Sequence, residues 1–280
     1  MSGPSEIRTL APAEVETAVE WAAREGWNPG LGDAGAFLAQ DAGAFRGLFR
    51  DGALAATLSA TAYAGDFTFV GFYICRPDLR GQGLGLALWR DTLDRLGGTV
   101  GLDGVLAQQE NYARSGFVLA HRNIRFGGPA PAAGAGDPRI RDIGPDLAAA
   151  VAAVDRAAFG FPRPDFLKAW LTLPFSRACA FVEEGAVKGY GVVRRCREGH
   201  KIGPLFAADA PVAGALFQAL AATAHGGPVF LDVPQPNGPA QALARAAGLT
   251  PVFETVRMYR GPAPALPLAD IFGITSFELG

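Results

Sequence analysis

Three short segments of this chain occur twice, in the same order and at almost the same spacing. Residues 7–12 (IRTLAP) correspond to residues 140–145 (IRDIGP), and the peptide DGALA reappears as EGAVK, both 133 residues later. In the third pair, Gly116 corresponds to Gly248, which is 132 residues further along. A period of this length is that of a whole domain, so we expect two copies of one fold of about 130 residues.

A stretch of small residues and prolines separates the two copies. Residues 127–138 (GGPAPAAGAGDP) contain a single charged residue, Asp137, which is typical of a linker. The predicted organisation is therefore a first domain over 1–128, a linker over 129–138 and a second domain over 139–280. The final residues, IFGITSFELG, are apolar and are expected to pack back onto the protein.

Composition limits the class of protein and its partners. Hydrophobic residues make up 49% of the chain and charged residues 19%, as in a globular protein. The net charge of −2 gives no support for binding to nucleic acid or to a membrane surface. The three cysteines are far apart, so they predict no disulfide framework and no metal site, and they favour a reduced, cytoplasmic setting. The uncharged run 210–231 is interrupted by glycine and proline, which favours a helix, a turn and a strand over a membrane span.

Hydrophobic periodicity predicts the element order β-α-α-β-β-β-α-β-α-β for the first copy, an α/β fold (α+β) with a mixed sheet. A strand of aromatic and β-branched residues, 66–77, is followed by a turn with three glycines at alternate positions, Gly81, Gly83 and Gly85. An amphipathic helix over 84–96 comes next.

This glycine turn has the features of an anion-binding site. The first N–H groups of a helix lack intrahelical partners, and the helix dipole adds partial positive charge there. Glycines let the backbone approach a pyrophosphate, and Arg80 adds a guanidinium at the rim. The spacing matches neither the dinucleotide fingerprint nor the P-loop. A helix start with permissive glycines and no ligand is the alternative.

The motif R-x-x-G-x-G, formed by Arg80, Gly83 and Gly85 after a strand that ends in CRP, resembles the acetyl-CoA signature of the GNAT acetyltransferase superfamily. The predicted element order is also similar to that of this family, and the resemblance covers the first copy almost end to end. The duplication resembles bacterial tandem-GNAT proteins. It implies two tandem GNAT-like acyl-CoA N-acyltransferase domains, the second of them degenerate.

The resemblance also implies which residues form the site. Backbone groups of Tyr73, Ile74 and Cys75 would contact the pantetheine and the acetyl carbonyl of acetyl-CoA. The pyrophosphate would be held by Arg80 and by the N–H groups of the turn: Gly81, Gln82, Gly83, Leu84, Gly85 and Leu86. Tyr112, four residues before a Gly-Phe pair, stands where the family has its general acid. Many members have a CoA-contacting asparagine at the position of Val105, so that contact is missing here.

Other roles in the chemistry stay open at the level of sequence. The general base could be Asp66, Glu110, His121 or a chain of water molecules. Cys75 could serve as a nucleophile in ping-pong chemistry or simply as a small core residue. The loop with Trp27 and Asn28 joins the first two helices, where GNAT folds commonly contact the acceptor. These two residues and Asp232 are the predicted substrate contacts.

The second copy lacks the motif. At the repeat offset, Arg80, Gly83 and Gly85 fall on Ala213, Leu216 and Gln218, and Tyr112 falls on Ala244 or Arg245. The copy retains polar residues at strand ends: Lys201, Asp232, Asn237 and Arg257. These are either caps and surface groups, or part of a wall that closes over the first active site.

The sequence therefore predicts an N-acetyltransferase that moves an acetyl group from acetyl-CoA to a primary amine of a small molecule or peptide by direct attack. A non-catalytic acyl-CoA-binding or sensing protein is the alternative from another class. Longer acyl donors or an oxygen acceptor are further variants of the enzyme.

Overall fold

The computed structural model describes residues 5–132, 134 and 136–280. The first half contains β1 (Ser5–Thr9), α1 (Pro12–Arg24), α2 (Asp33–Gln40), β2 (Phe45–Arg50), β3 (Ala53–Tyr63), β4 (Phe67–Cys75), α3 (Leu84–Leu93), β5 (Thr99–Val105), α4 (Gln109–Arg114) and β6 (Val118–Pro129). The second half contains β7 (Ile140–Asp142), α5 (Ala148–Phe159), α6 (Pro164–Leu171), β8 (Ser176–Glu183), β9 (Ala186–Arg195), β10 (His200–Ala207), α7 (Ala210–Ala221), β11 (Pro228–Pro234), α8 (Gly238–Ala246), β12 (Thr250–Arg260) and β13 (Ile271–Gly273). The predicted α/β order of the first copy is confirmed, and the second half repeats it before adding β13.

Boundaries differ from the predictions by a few residues. Helix α3 ends at Leu93, three residues earlier than its hydrophobic pattern suggests. Strand β6 continues to Pro129, because Gly127, Gly128 and Pro129 pair with β11 instead of belonging to the linker. Residues 1–4 of the predicted first domain, and Ala133 and Ala135 of the predicted linker, lie outside the described residues.

The two halves share one mixed sheet, in which the last strand of each half pairs with the other half. The last strand here means β6 or β12, the final strand of the repeated order, because β13 is added after the repeat. The strand order is β1-β2-β3-β4-β5-β12-β6-β11-β10-β9-β8-β7. Strand β12 thus lies antiparallel to β5, and β6 lies antiparallel to β11. The division of the sequence at 129–138 stays a prediction about the two copies. In space, strands of both copies alternate at the centre of the sheet.

Two buried ion pairs accompany this exchange, one on each side of the centre. Arg257 of β12 donates to both carboxylate oxygens of Asp103 on β5, at 2.6 and 2.7 Å. Arg125 of β6 donates to both carboxylate oxygens of Asp232 on β11, at 2.6 and 2.8 Å. All four side chains are almost completely shielded from solvent. Each arginine therefore joins the last strand of one half to the fifth strand of the other.

The helices pack on the sheet in three groups, and their apolar residues form the contacts. Helices α1 and α2 share one core with α5 and α6 on one face of the sheet. Helices α3 and α4 pack over the first half, and α7 and α8 pack over the second. The uncharged run 210–231, for which the sequence favours a helix, a turn and a strand, forms α7, a turn and the start of β11. Within the described residues, every helix is too short or too polar to cross a bilayer.

The C-terminal segment lies inside the molecule, as its apolar sequence predicts. All residues of 271–280 are buried. The parallel pairing of β10 with β11 stops at Ile202 and Leu231, and β13 then pairs with Leu205 and Phe206 of β10. The N–H of Ile274 donates to the carbonyl oxygen of Asp232 on β11. The segment therefore fills the gap where β10 and β11 separate.

We expect Arg257→Met to lower the free energy of unfolding by roughly 3–5 kcal/mol, because it leaves the Asp103 carboxylate buried without its partner. Urea unfolding followed by circular dichroism measures the change. The double variant Asp103→Leu with Arg257→Met should recover most of the loss, since it removes both charges together. As a control, Arg114→Ala removes an exposed pair with Glu110 and should leave the urea midpoint unchanged. A midpoint for Arg257→Met equal to that of the control would contradict the role of this pair.

Candidate active site

Strands β4 and β5 separate halfway along their length and form a cavity. They pair in parallel only where residues Phe67–Val70 of β4 lie beside residues Thr99–Leu102 of β5. Beyond this point β4 has an irregular register with β3, and Phe72 has a φ of +48°. A cavity of about 500 Å³ lies in the resulting gap, between the second half of β4, the end of β5 and the start of α3.

The free edge of β4 lines this cavity. Tyr73, Ile74 and Cys75, which the sequence predicts to bind pantetheine, all lie along it. Ile74 and Cys75 pair with β3 on one side, and their other side has no strand partner because β5 has moved away. An unpaired strand edge offers backbone N–H and C=O groups to an extended ligand.

The glycine turn forms the outer end of the cavity. Helix α3 begins after Gly83, which is left-handed with a φ of +79° and has no side-chain cap. Gly81 has a φ of +77°. A β-carbon added to either residue would meet nothing within 4 Å, so the backbone conformation requires glycine and the space in front of it is open. Gly85 is different, because its β-carbon would lie 3.1 Å from the hydroxyl of Tyr73.

The remaining predicted residues of the turn lie at its rim. The Nε of Arg80 donates to the carbonyl oxygen of Cys75 at 3.0 Å, and its guanidinium pairs with Glu25. The side chain of Gln82 accepts from Arg50 and points away from the cavity lining. All predicted cofactor-binding residues except Gln82 line the cavity. The open space, the uncapped helix start and the free strand edge together suit a pyrophosphate joined to an extended chain.

Tyr112 lies across the cavity from this turn. Its ring packs on Trp89, with centroids 5.5 Å apart, and covers Gly104, where a side chain would collide with it. Burial raises the pKa of Tyr112 above its ordinary value, and burial raises the pKa of the neighbouring Tyr73 to about 12. Both phenols are therefore protonated at neutral pH and can donate a proton.

Other residues considered for the chemistry are less well placed. Asp66, Glu110 and His121 do not line the cavity. Burial and the Arg257 guanidinium lower the pKa of His121 to about 4, which makes it a weak base. Cys75 does line the cavity, but burial raises the pKa of its thiol and so disfavours the nucleophilic thiolate.

The three predicted substrate contacts have different surroundings. Trp27 lines the cavity, and its carbonyl oxygen accepts hydrogen bonds from Arg125 and Lys201. The amide of Asn28 forms two hydrogen bonds with the backbone of Glu198 and lies outside the lining. The carboxylate of Asp232 is held by Arg125. Only Trp27 of the three reaches the cavity.

The second half supplies one wall of the cavity, which no motif indicates. Phe253 and Thr255 of β12 contribute to it, as do Phe277 and Glu278 of the C-terminal segment. Glu278 is the only charged residue in 271–280. This lone charge in an apolar run is the sequence feature that could have indicated a role for the segment in the cavity. The polar residues Lys201, Asp232 and Arg257 are buried behind this wall, and Asn237 caps α8. They are not surface groups.

The equivalent positions of the second half are arranged differently. Only two residues join β10 to α7, and the carboxylate of Asp209 caps the helix by accepting from the N–H of Val212 at 2.9 Å. The cleft between β10 and β11 holds β13. Among the residues that the structure describes, no cluster of three or more histidine, cysteine or acidic side chains could hold a metal ion.

Comparison with known proteins identifies the family of both halves. Residues 11–117 match the family model described as the acetyltransferase (GNAT) family, and residues 151–273 match the one described as an acetyltransferase (GNAT) domain. A holothin acyltransferase from Pseudoalteromonas sp. (strain SANK 73390) is 32% identical over 232 residues, which cover 81% of this chain and 79% of that protein.

Solved structures share the fold along almost the whole chain. A protein from Pyrococcus horikoshii superposes with a TM-score of 0.82 at 21% identity, over 99% of this chain and 96% of the other. A tandem GNAT protein from the clavulanic acid biosynthesis pathway superposes with a TM-score of 0.63 at 16% identity, over 93% of this chain and 100% of the other.

Enzymes of this family use acyl-CoA and an acceptor substrate. The matches to both halves, together with the similarity to an acyltransferase over most of the chain, show that this protein belongs to the GNAT acetyltransferase family and is an acyltransferase.

Proposed function

We propose that this enzyme transfers an acetyl group from acetyl-CoA to a primary amine of a small molecule or peptide, by direct attack at a single site in the first half of the chain. One observation carries the proposal. The uncapped glycine turn, the free edge of β4 and the buried phenol of Tyr112 all line the same cavity.

Each part of the cavity suits one requirement of this reaction. The open turn at Gly81 and Gly83 suits the pyrophosphate, and the free edge of β4 suits the pantetheine. Attack on the thioester builds negative charge on the carbonyl oxygen, which N–H groups of the strand can stabilise. The departing thiolate needs a proton, and the protonated Tyr112 can supply it.

Direct attack is favoured over a ping-pong mechanism by the state of Cys75. Its thiol is the only one that lines the cavity, and burial raises its pKa. The three cysteines are unpaired in the structure, in keeping with the reducing cytoplasm that we propose as the location of the enzyme. The similarity to a protein named holothin acyltransferase supports a small-molecule acceptor and weighs against a purely sensing role.

We expect Gly83→Asp to weaken acetyl-CoA binding at least tenfold, because it places a carboxylate and a strained residue where the pyrophosphate would lie. Calorimetric titration with acetyl-CoA measures the affinity. Gly185→Asp is the matched control: Gly185 has a φ of +76° and open space around it, but lies in the hairpin between β8 and β9. Equal affinity in both variants would refute the assignment of the turn. Two binding sites per chain would show that the second half also binds the ligand.

We expect Tyr112→Phe to lower kcat at least about tenfold with little change in acetyl-CoA affinity, because the thiolate loses its proton donor. A thiol-release assay with a panel of primary amines measures kcat, and calorimetry measures the affinity. Tyr73→Phe removes the other phenol of the cavity and should lower kcat less. An unchanged kcat in Tyr112→Phe would exclude this residue from the mechanism. Acetyl-CoA binding without turnover on any amine would contradict the proposed acceptor class.

A further inference from the structure

The C-terminal segment places one carboxyl group in the active-site cavity. The backbone of Glu278 packs directly on Gly71, at the point where β4 leaves β5, and a side chain at position 71 would collide with it. Glu278 lines the cavity although the residue is only 3% exposed. Gly71 precedes Tyr73 by two residues, which along a strand is about 7 Å. The backbone of Glu278 therefore lies beside β4 close to the edge proposed to bind the acyl group, and Glu278 lines the same cavity as that edge.

This carboxylate is buried without a partner of its own. Its Oε1 atom is shielded from solvent and accepts no hydrogen bond within the described residues. The nearest cations are engaged elsewhere: Lys201 donates to the carbonyl oxygens of Trp27 and Asn28, and Arg125 is paired with Asp232. A buried carboxylate without a hydrogen bond carries a free-energy penalty, so a functional partner is the natural explanation.

Burial raises the pKa of Glu278 above its ordinary value, although Lys201 and Arg125 act in the opposite direction. A carboxylate with a raised pKa is a better proton acceptor near neutral pH. The hydroxyl of Thr255, which lines the same cavity, is also buried and unpaired among the described residues. The cavity lining therefore includes two residues with unsatisfied polar atoms.

Aromatic side chains also line this cavity. Trp27, Phe253 and Phe277 line the cavity, and the rings of Phe253 and Phe277 lie 6.0 Å apart. Such walls suit an apolar body, whereas the carboxylate suits a cationic group attached to it.

From this arrangement we infer that Glu278 is the catalytic base, and that it binds and deprotonates the ammonium group of an acceptor whose apolar body packs against Trp27, Phe253 and Phe277. The inference rests on the proposed function and names both the base and the chemical class of the acceptor.

The acetyl transfer releases one proton overall. The ammonium nitrogen gives one proton to the Glu278 carboxylate, and its lone pair then forms a bond to the carbonyl carbon of the thioester. The carbon–sulfur bond breaks, and the thiolate takes a proton from the Tyr112 phenol. The nitrogen loses its second proton, which restores the phenol. Glu278 passes its proton to solvent, so the products are the amide, free CoA and one proton.

Other ionisable groups surround Glu278, and the test has to separate them. They are Glu25 at the end of α1, Asp33 on α2, Tyr73 and Cys75 on β4, Arg80 in the glycine turn, Asp103 on β5, Tyr112 on α4, Arg125 on β6, Arg194 on β9, Lys201 on β10 and Asp232 on β11. Glu25 and Arg80 pair with each other. The three aspartates are each paired with a buried arginine. Burial raises the pKa values of Tyr73, Cys75 and Tyr112, so these groups stay neutral around pH 7. Burial also raises the pKa of Asp103. A change of charge on the acidic side of neutrality is therefore assigned to Glu278 only where it disappears in Glu278→Gln.

The test compares the wild type with Glu278→Gln, using acetyl-CoA and two probe amines. 2-Phenylethylamine is protonated at pH 7, whereas 4-methoxyaniline is neutral there. We expect Glu278→Gln to lower kcat for 2-phenylethylamine about a hundredfold at pH 7, and kcat for 4-methoxyaniline less than about fivefold. The wild-type kcat should rise through the pKa of Glu278 and then level off. In the variant, kcat should keep rising from about pH 6 to about pH 9, because only the free amine reacts.

Two controls keep this test specific. Calorimetry with CoA should give the same affinity for Glu278→Gln and the wild type, which shows that the variant is folded and that its turn is intact. Glu254→Gln makes the same chemical change on β12, at a residue that pairs with Arg122 outside the cavity, and should leave kcat and its pH profile unchanged. Glu278→Asp, which keeps the carboxylate, should recover part of the activity.

The outcomes distinguish this inference from the proposed function. Equal losses for the two amines, or an unchanged pH profile in Glu278→Gln while the wild type turns over, would overturn the role of Glu278 and leave acetyl transfer standing. No thiol release by the wild type with either amine would overturn the acceptor class, and the inference with it.

Discussion

The exchange of the last strands between the two halves is the constraint on which the rest of the molecule depends. Because β12 lies beside β5, residues of the second half reach the cavity that the first half opens between β4 and β5. The pairs Asp103–Arg257 and Asp232–Arg125 connect the halves at this exchange. Losing one partner of such a buried pair is far more harmful than losing an exposed ion pair, so separation of the halves is strongly opposed. Both halves therefore line the cavity proposed as the active site, although its glycine turn and Tyr112 come from the first copy.

Local signals in the sequence predict most of the first half. The order of helices and strands follows from hydrophobic periodicity, and the turn follows from a glycine pattern that suits the positive φ angles of Gly81 and Gly83. The position of Tyr112 before Gly116 places it on a short helix next to the end of β5, where the structure puts its ring over Gly104. In each case the residues that carry the signal lie close together in the sequence, so the inference does not depend on knowing the tertiary structure.

Non-local features could not be predicted in this way. Strands β5 and β11 have similar sequences, each with one aspartate among apolar residues, so either could pair with β6 or with β12. The pattern of Lys201 and Asp232 on strands is compatible with both exposed and buried groups, and their burial in the structure depends on residues far away in the sequence. Asn28 and Gln82 belong to loops whose other residues line the cavity, but their own side chains bind Glu198 and Arg50. The direction of a single polar side chain depends on such partners, which the sequence does not identify.

Strand β13 occupies the cleft of the second half and is covalently part of the same chain. In the first half, the edge of β4 that faces β5 has no strand partner beyond Val70, whereas in the second half the corresponding edge of β10 is paired with β13. Strand addition that is intramolecular avoids the entropy of bringing two molecules together, so a free ligand competes with a very high effective concentration. The duplicated cleft has thus become part of the folding energetics. Its edge is occupied by β13, and the chain continues from there to Glu278 in the wall of the first cavity.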